Sequence, residues 1–212
     1  RNGHVIVWGP GSGISDGSCI SAESATRLTG FSFQMLPLNV QRRIILTNFG
    51  HPIMRDISPD TILGGSLPYG PILFPTDGAE LGMALTKWQC NHVGLAVKSF
   101  GKGAAMDCGE GETPGDDDYA SVFTTAIPLP ADMWRGLARY AGAHIYCEEN
   151  DIVLADSSVV ALHSMKSGEK RLNLPGRYIV KDVISGENYD SNSNEIVFTL
   201  KAPETRVFNI VK

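Results

Sequence analysis

The chain has 212 residues, 42% of them apolar and 19% charged, with a net charge of −5. This is the composition of a globular protein with a real core, in one large domain or two small ones. The acidic balance (pI near 5.5) speaks against a nucleic-acid partner, and no apolar run approaches the ~20 residues of a membrane span, so the chain reads as soluble with no membrane partner.

Val5, Ile6, Val7 and Trp8 form a continuous apolar run, which predicts a strand buried on both faces in the middle of a sheet. A chain that opens on such a strand reads as a piece of something longer. A Gly/Ser loop follows, then a short helix over 22–28 with Ser21 as N-cap and Gly30 as its stop. Residues 42–47 (RRIILT) predict a strand, and 57–71 predict a Pro/Gly-rich loop with short extended pieces. Short strands are expected at 71–74, 93–100 and 121–127, with 101–120 as a polar, Gly-rich surface loop.

The clearest helix is expected over 131–141. Trp134, Leu137, Ala138 and Ala141 fall at i, i+3, i+4 and i+7, a spacing that predicts one buried face, with Gly142 just past the end. Burial of Trp134 and Leu137 should contribute about 1.5–3 kcal/mol each. From His144 the period changes to two. Strands are expected at 152–155, 159–164, 170–174, 178–184, 195–201 and 205–210, which together suggest a small antiparallel sandwich. Two domains follow: an α/β one over 1–143 and a small β one over 144–212.

The candidate sites are sparse. The loop Gly9-Pro10-Gly11-Ser12-Gly13 follows a strand, as phosphate loops do. It lacks both the dinucleotide fingerprint and the Gly-Lys-Ser/Thr of a P-loop. Cys19 and Ser12 are the residues placed to act as nucleophiles, with His51, His92, His144 and His163 as candidate bases. No partner motif surrounds these histidines, so each reads as structural. Asp116, Asp117 and Asp118, with Glu110 and Glu112, do not match a calcium loop and read as a solvated acidic segment. The four cysteines, Cys19, Cys90, Cys108 and Cys147, contain no C-x-x-C pair, so a zinc site has little support. Their spacing leaves disulfide pairing open. Trp88, Trp134, Tyr140 and Tyr146 are the aromatic rings that could stack on a sugar.

The runs RYAGAHIY, DIVLADSSVVALHS, GEKRLNLP and ETRVF resemble the C-terminal end of large bacterial beta-galactosidase-like glycoside hydrolases. Upstream, VIVWGPGSGISDGSCISAESATRLTGF, YGPILFPTDGAELGM and GLAVKSFGKG are similar to the α/β trimerisation domain that follows the catalytic barrel in that family. The resemblance implies a partial flavodoxin-like sheet, similar in fold to class I glutamine amidotransferases, and then a small antiparallel β-sandwich. It implies that further strands precede Val5 and that the catalytic carboxylates belong to a barrel upstream of Arg1. No catalytic, cofactor-binding or metal-binding residue is therefore carried over to this chain. Where the amidotransferases place a nucleophile after the central strand, this sequence has Gly9, Pro10 and Gly11. The resemblance also implies three partners: the parent's barrel, further copies of the chain, and a carbohydrate. It places the parent in a bacterial cytoplasm, in the periplasm or outside the cell. The expected role is non-catalytic support of assembly and of the active-site rim. Two alternatives are an amidotransferase-like or esterase-like enzyme using Cys19 or Ser12 with a histidine, and a carbohydrate-binding module.

Overall fold

A computed structural model describes residues 4–86, 91–101, 119–190 and 194–211. The chain divides into two compact units, Arg1–Ala143 and His144–Lys212.

In the first unit the strands are β1 (His4–Trp8), β2 (Phe33–Leu36), β3 (Val40–Gln41), β4 (Arg43–Leu46), β5 (Ile62–Leu63), β6 (Pro68–Tyr69), β7 (Ile72–Pro75), β8 (Ala79–Leu85), β9 (His92–Phe100) and β10 (Tyr119–Thr124). The helices are α1 (Ala22–Thr29) and α2 (Ala131–Tyr140). A six-stranded sheet runs β1-β10-β9-β8-β4-β5. Only its β1–β10 pair is parallel; β10–β9, β9–β8, β8–β4 and β4–β5 are antiparallel. This corrects the expected fold class. A flavodoxin-like or amidotransferase-like sheet needs parallel strands joined by helical crossovers. Here strand makes up 45% of the structure and helix 11%, with two α-helices among the described residues. The connections within 72–100 are short, which permits hairpins and leaves no room for crossover helices.

β1 is also not where its composition placed it. It lies at the sheet edge, paired only with β10 among the described residues, and Ile6 is 40% exposed. Its unbroken apolar run has a different cause from mid-sheet burial. Val5 and Val7 pack into the cluster under α2, while Trp8 turns to the opposite cluster and donates from Nε1 to the Ser121 hydroxyl at 2.8 Å.

The two helices take opposite faces of the sheet. α1 starts at Ser21, whose hydroxyl accepts from the Ser24 amide, and it stops at Gly30 (φ +80°), both as expected. On its side Ala25, Phe31, Leu73, Ala96 and Phe123 form one core, and Phe33 meets Phe123 with ring centroids 4.6 Å apart. On the other side Met133, Leu137 and Tyr140 of α2 pack on Ile53, Met54, Leu95, Val97 and Val122. The buried face of α2 is therefore Met133, Gly136, Leu137 and Tyr140, and Trp134 is 51% exposed. The helical period holds but the buried stripe is displaced, so the expected burial of Trp134 is wrong. Gly136 sets the displacement: a Cβ there would lie 2.1 Å from the Ile53 carbonyl oxygen, so the helix approaches the 3₁₀ turn Pro52–Met54 along that line.

The second unit contains β11 (Ile152–Ala155), β12 (Val159–Ser164), β13 (Gly168–Asn173), β14 (Ile179–Asp182), β15 (Asn188–Asp190), β16 (Glu195–Leu200) and β17 (Glu204–Val211). A five-stranded sheet β11-β12-β17-β14-β15 faces a two-stranded sheet β13-β16, and all pairs are antiparallel. Val160, Leu162, Val180, Phe208 and Ile210 from the larger sheet and Leu172, Ile196, Phe198 and Leu200 from the smaller share one core. This is a sandwich-like arrangement built from the alternation seen in the sequence.

Candidate functional site

The structure does not bring the candidate nucleophiles and bases together. Cys19 is exposed, and its sulfur lies 3.8 Å from an Asp16 carboxylate oxygen. Asp16 closes the loop by accepting from the Ser18 hydroxyl (2.7 Å), the Ser18 amide and the Cys19 amide. The Ser18 hydroxyl, then those amides and Arg27, hold its carboxyl well below the usual carboxylate range. The Ser12 amide donates to the Gly9 carbonyl, so the Gly-rich loop folds back on itself.

Each histidine is engaged elsewhere. His51 Nδ1 accepts from the Ile53 amide and packs on Tyr140, and burial pushes its imidazole below its ordinary value. His92 stacks on Phe74, with centroids 4.3 Å apart. His144 Nε2 meets the Asn173 carbonyl at 2.9 Å, and His163 Nδ1 meets the Thr205 hydroxyl at 2.9 Å. Among the described residues no hydrogen bond joins Cys19 or Ser12 to any histidine.

The aromatic candidates are likewise dispersed. Tyr140 is 4% exposed and belongs to the core of the first unit. Trp134 is open to solvent, and Tyr146 sits edge-on to His144 in the second unit. Trp88, Cys90, Cys108 and the acidic segment at 110–118 lie outside the described residues. Cys147 is buried, and burial pushes its thiol up, the direction of an unreactive thiol. Among the described residues no group of three or more His, Cys, Asp or Glu could hold a metal ion. No helix among them is long and apolar enough to cross a membrane.

Two features were not legible in the sequence. The first is a set of buried charges. Arg42 is 1% exposed and its guanidinium lies over the Tyr69 ring, 3.6 Å from the centroid. It donates to the carbonyls of Tyr69 (2.6 Å) and Thr125 (3.3 Å), and burial lowers its pKa. In the second unit Lys170 meets Asp151 at 2.8 Å and Glu149 at 2.5 Å, and Arg206 meets the fully buried Asp182 at 2.8 Å. Nothing local in the sequence marks these side chains as inward-facing except the strand parity of Lys170 and Asp182.

The second feature is uncovered apolar surface. Ile62, Ile45 and Met83 stand in one cross-strand row on the face opposite α2, with Ile62 52% and Ile45 38% exposed. On the outer face of the five-stranded sheet, Leu154 pairs with Ala161, which in turn pairs with Val207, and Ile179 pairs with Val211. Leu154 and Ile179 are each 70% exposed. Contiguous apolar surface of this kind marks contact with another protein surface more often than chemistry.

No family model matches the sequence, and no curated protein matches it. Two solved structures share its fold. One is a beta-galactosidase from Bacillus circulans sp. alkalophilus, at 13% identity and a TM-score of 0.53, covering 99% of this chain and 29% of that one. The other is the cold-adapted beta-galactosidase from Rahnella sp. R3, at 11% identity and a TM-score of 0.56, covering 98% of this chain and 29% of that one. The present chain thus spans under a third of the length of either enzyme.

Proposed function

We propose that this chain is a non-catalytic accessory and assembly region of a beta-galactosidase-like glycoside hydrolase, working beside a catalytic barrel. The observation that carries the reading is that nearly all of both units superimposes on part of two beta-galactosidases. Two further observations support it. The candidate nucleophiles and bases have no shared geometry among the described residues. Both units also carry uncovered apolar faces suited to packing against neighbours. In this role the first unit acts as the trimerisation-type domain and the second as the small β domain, and support of the active-site rim comes from position rather than from a reacting group.

Sedimentation of the chain tests the assembly half of the reading. The wild type is expected to self-associate, or to bind a separately produced barrel region of its parent. The double variant Ile45→Lys/Ile62→Lys is expected to remain folded and lose that association. A wild type that stays monomeric and does not bind the barrel would contradict it.

A further inference from the structure

We propose that residues 144–151 are a strap clamped to the second unit by Lys170 rather than a loose linker. The segment 141–151 contains no helix or strand, as a loose linker would. Its hydrogen bonds say otherwise.

On the upstream side α2 ends in a closed cap. The Ala143 amide donates to the Ala138 carbonyl at 2.8 Å and the Gly142 amide to the Arg139 carbonyl at 2.9 Å, with Gly142 at φ +69°. This is the paired closure of a Schellman motif, and it fixes the chain up to Ala143. On the downstream side the attachment begins at once. His144 Nε2 meets the Asn173 carbonyl, and the Asn173 amide donates to the Tyr146 carbonyl at 2.7 Å. Cys147 enters the apolar core.

Lys170 then holds the last part of the strap. It sits on the inner face of β13 opposite Phe198, with its side chain 3% exposed. Its ammonium takes Asp151 (side chain 4% exposed) and Glu149 (52% exposed) from the strap itself. Asp151 also accepts from the Ser164 hydroxyl of β12 at 2.6 Å, which joins the strap to both sheets. A buried ammonium has no alternative partner in water, so releasing the strap would strand a charge in the core. Lys170 is thus a positioning residue for the connection, with no catalytic part.

A Glu-specific protease acting on the intact chain tests this, because Glu148 and Glu149 are surface residues that only a detached strap presents in extended form. The wild type should be nicked there no faster than the second unit unfolds. The double variant Lys170→Met/Asp151→Leu, which removes both buried charges together, should be nicked about 10–100-fold faster while keeping its thermal transition. Rapid nicking of the folded wild type, or an unchanged rate in a folded double variant, would overturn the proposal. If the double variant does not fold, hydrogen exchange in the wild type decides. The Asn173 amide should be protected about as strongly as the Leu162 amide in the central strand β12. Exchange of Asn173 within about tenfold of an unprotected amide would overturn the proposal.

Discussion

Residues Arg1–Ala143 bury apolar clusters on both faces of a six-stranded sheet, whereas His144–Lys212 encloses a single cluster and lines it with ion pairs. The two units also treat a buried cation differently. Arg42 in the first is held by two carbonyl oxygens and an aromatic face, with no carboxylate partner among the described residues. Lys170 in the second is held by two carboxylates. A domain of roughly 70 residues has little apolar area to bury and little margin to lose. Its charges are therefore mutually dependent, while the larger unit can hold one cation with dipoles and packing.

The contrast can be broken most directly at Lys170. Replacing it by Met leaves Asp151 buried without its cation, and the second unit should lose about 3–5 kcal/mol. Calorimetry should show one of two transitions falling and the other unmoved; a shift in both would mean the units do not fold independently. Next in size is Gly136→Ala, whose new methyl group meets the Ile53 carbonyl oxygen. It should cost about 1–3 kcal/mol, confined to the first unit's transition.

An acid titration sharpens the same division. Burial works against ionised Asp182, but the Ser185 amide, Arg206 and the Ile184 amide together outweigh it and hold the carboxyl below its ordinary value. A lowered folded pKa gives stability that is present above the unfolded value of about 3.9 and is lost as pH falls through the folded one. The second unit's melting temperature should therefore drop on acidification, and Asp182→Asn should flatten that limb while lowering the neutral plateau. A limb of unchanged steepness would show that Asp182 does not drive it.

Arg42→Met should cost far less than its counterpart at Lys170, about 1 kcal/mol, because no carboxylate is left stranded and the Thr125 carbonyl keeps its bond from the Tyr69 hydroxyl. A loss as large as that of Lys170→Met would erase the distinction between the two cations. Trp134→Ala should change stability least, within about 0.5 kcal/mol, since the ring is half exposed.

Sequence reading and structure part company along the same line. In the second unit the alternation of β12 and β16 placed strands within a residue or two, because one face of each is buried and the other wet. Only the short β15 went unread. In the first unit local capping chemistry was legible at Ser21, Gly30 and Gly142, and topology was not. β8 reads AELGMAL, in which Ala, Glu and Gly fill four of seven positions, so nothing in its propensity announced a strand at the heart of the sheet. Without β8 the order of the sheet rests on the resemblance alone, which implies a flavodoxin-like arrangement that the antiparallel pairs of β8 rule out. The apolar run of β1 was ambiguous because an edge strand touched by layers on both faces has the same composition as a central one. The candidate nucleophiles failed for a plainer reason: their residue types recur in loops for turn formation, as Asp16, Ser18 and Cys19 show.

The central claim is that the chain supports catalysis without performing it, and hydrolysis of an aryl beta-galactoside by the purified chain measures that most directly. The account predicts no turnover above the uncatalysed rate at any chain concentration. Turnover at an enzyme-like rate of about 1 per second or more, abolished by replacing a residue of this chain, would contradict it.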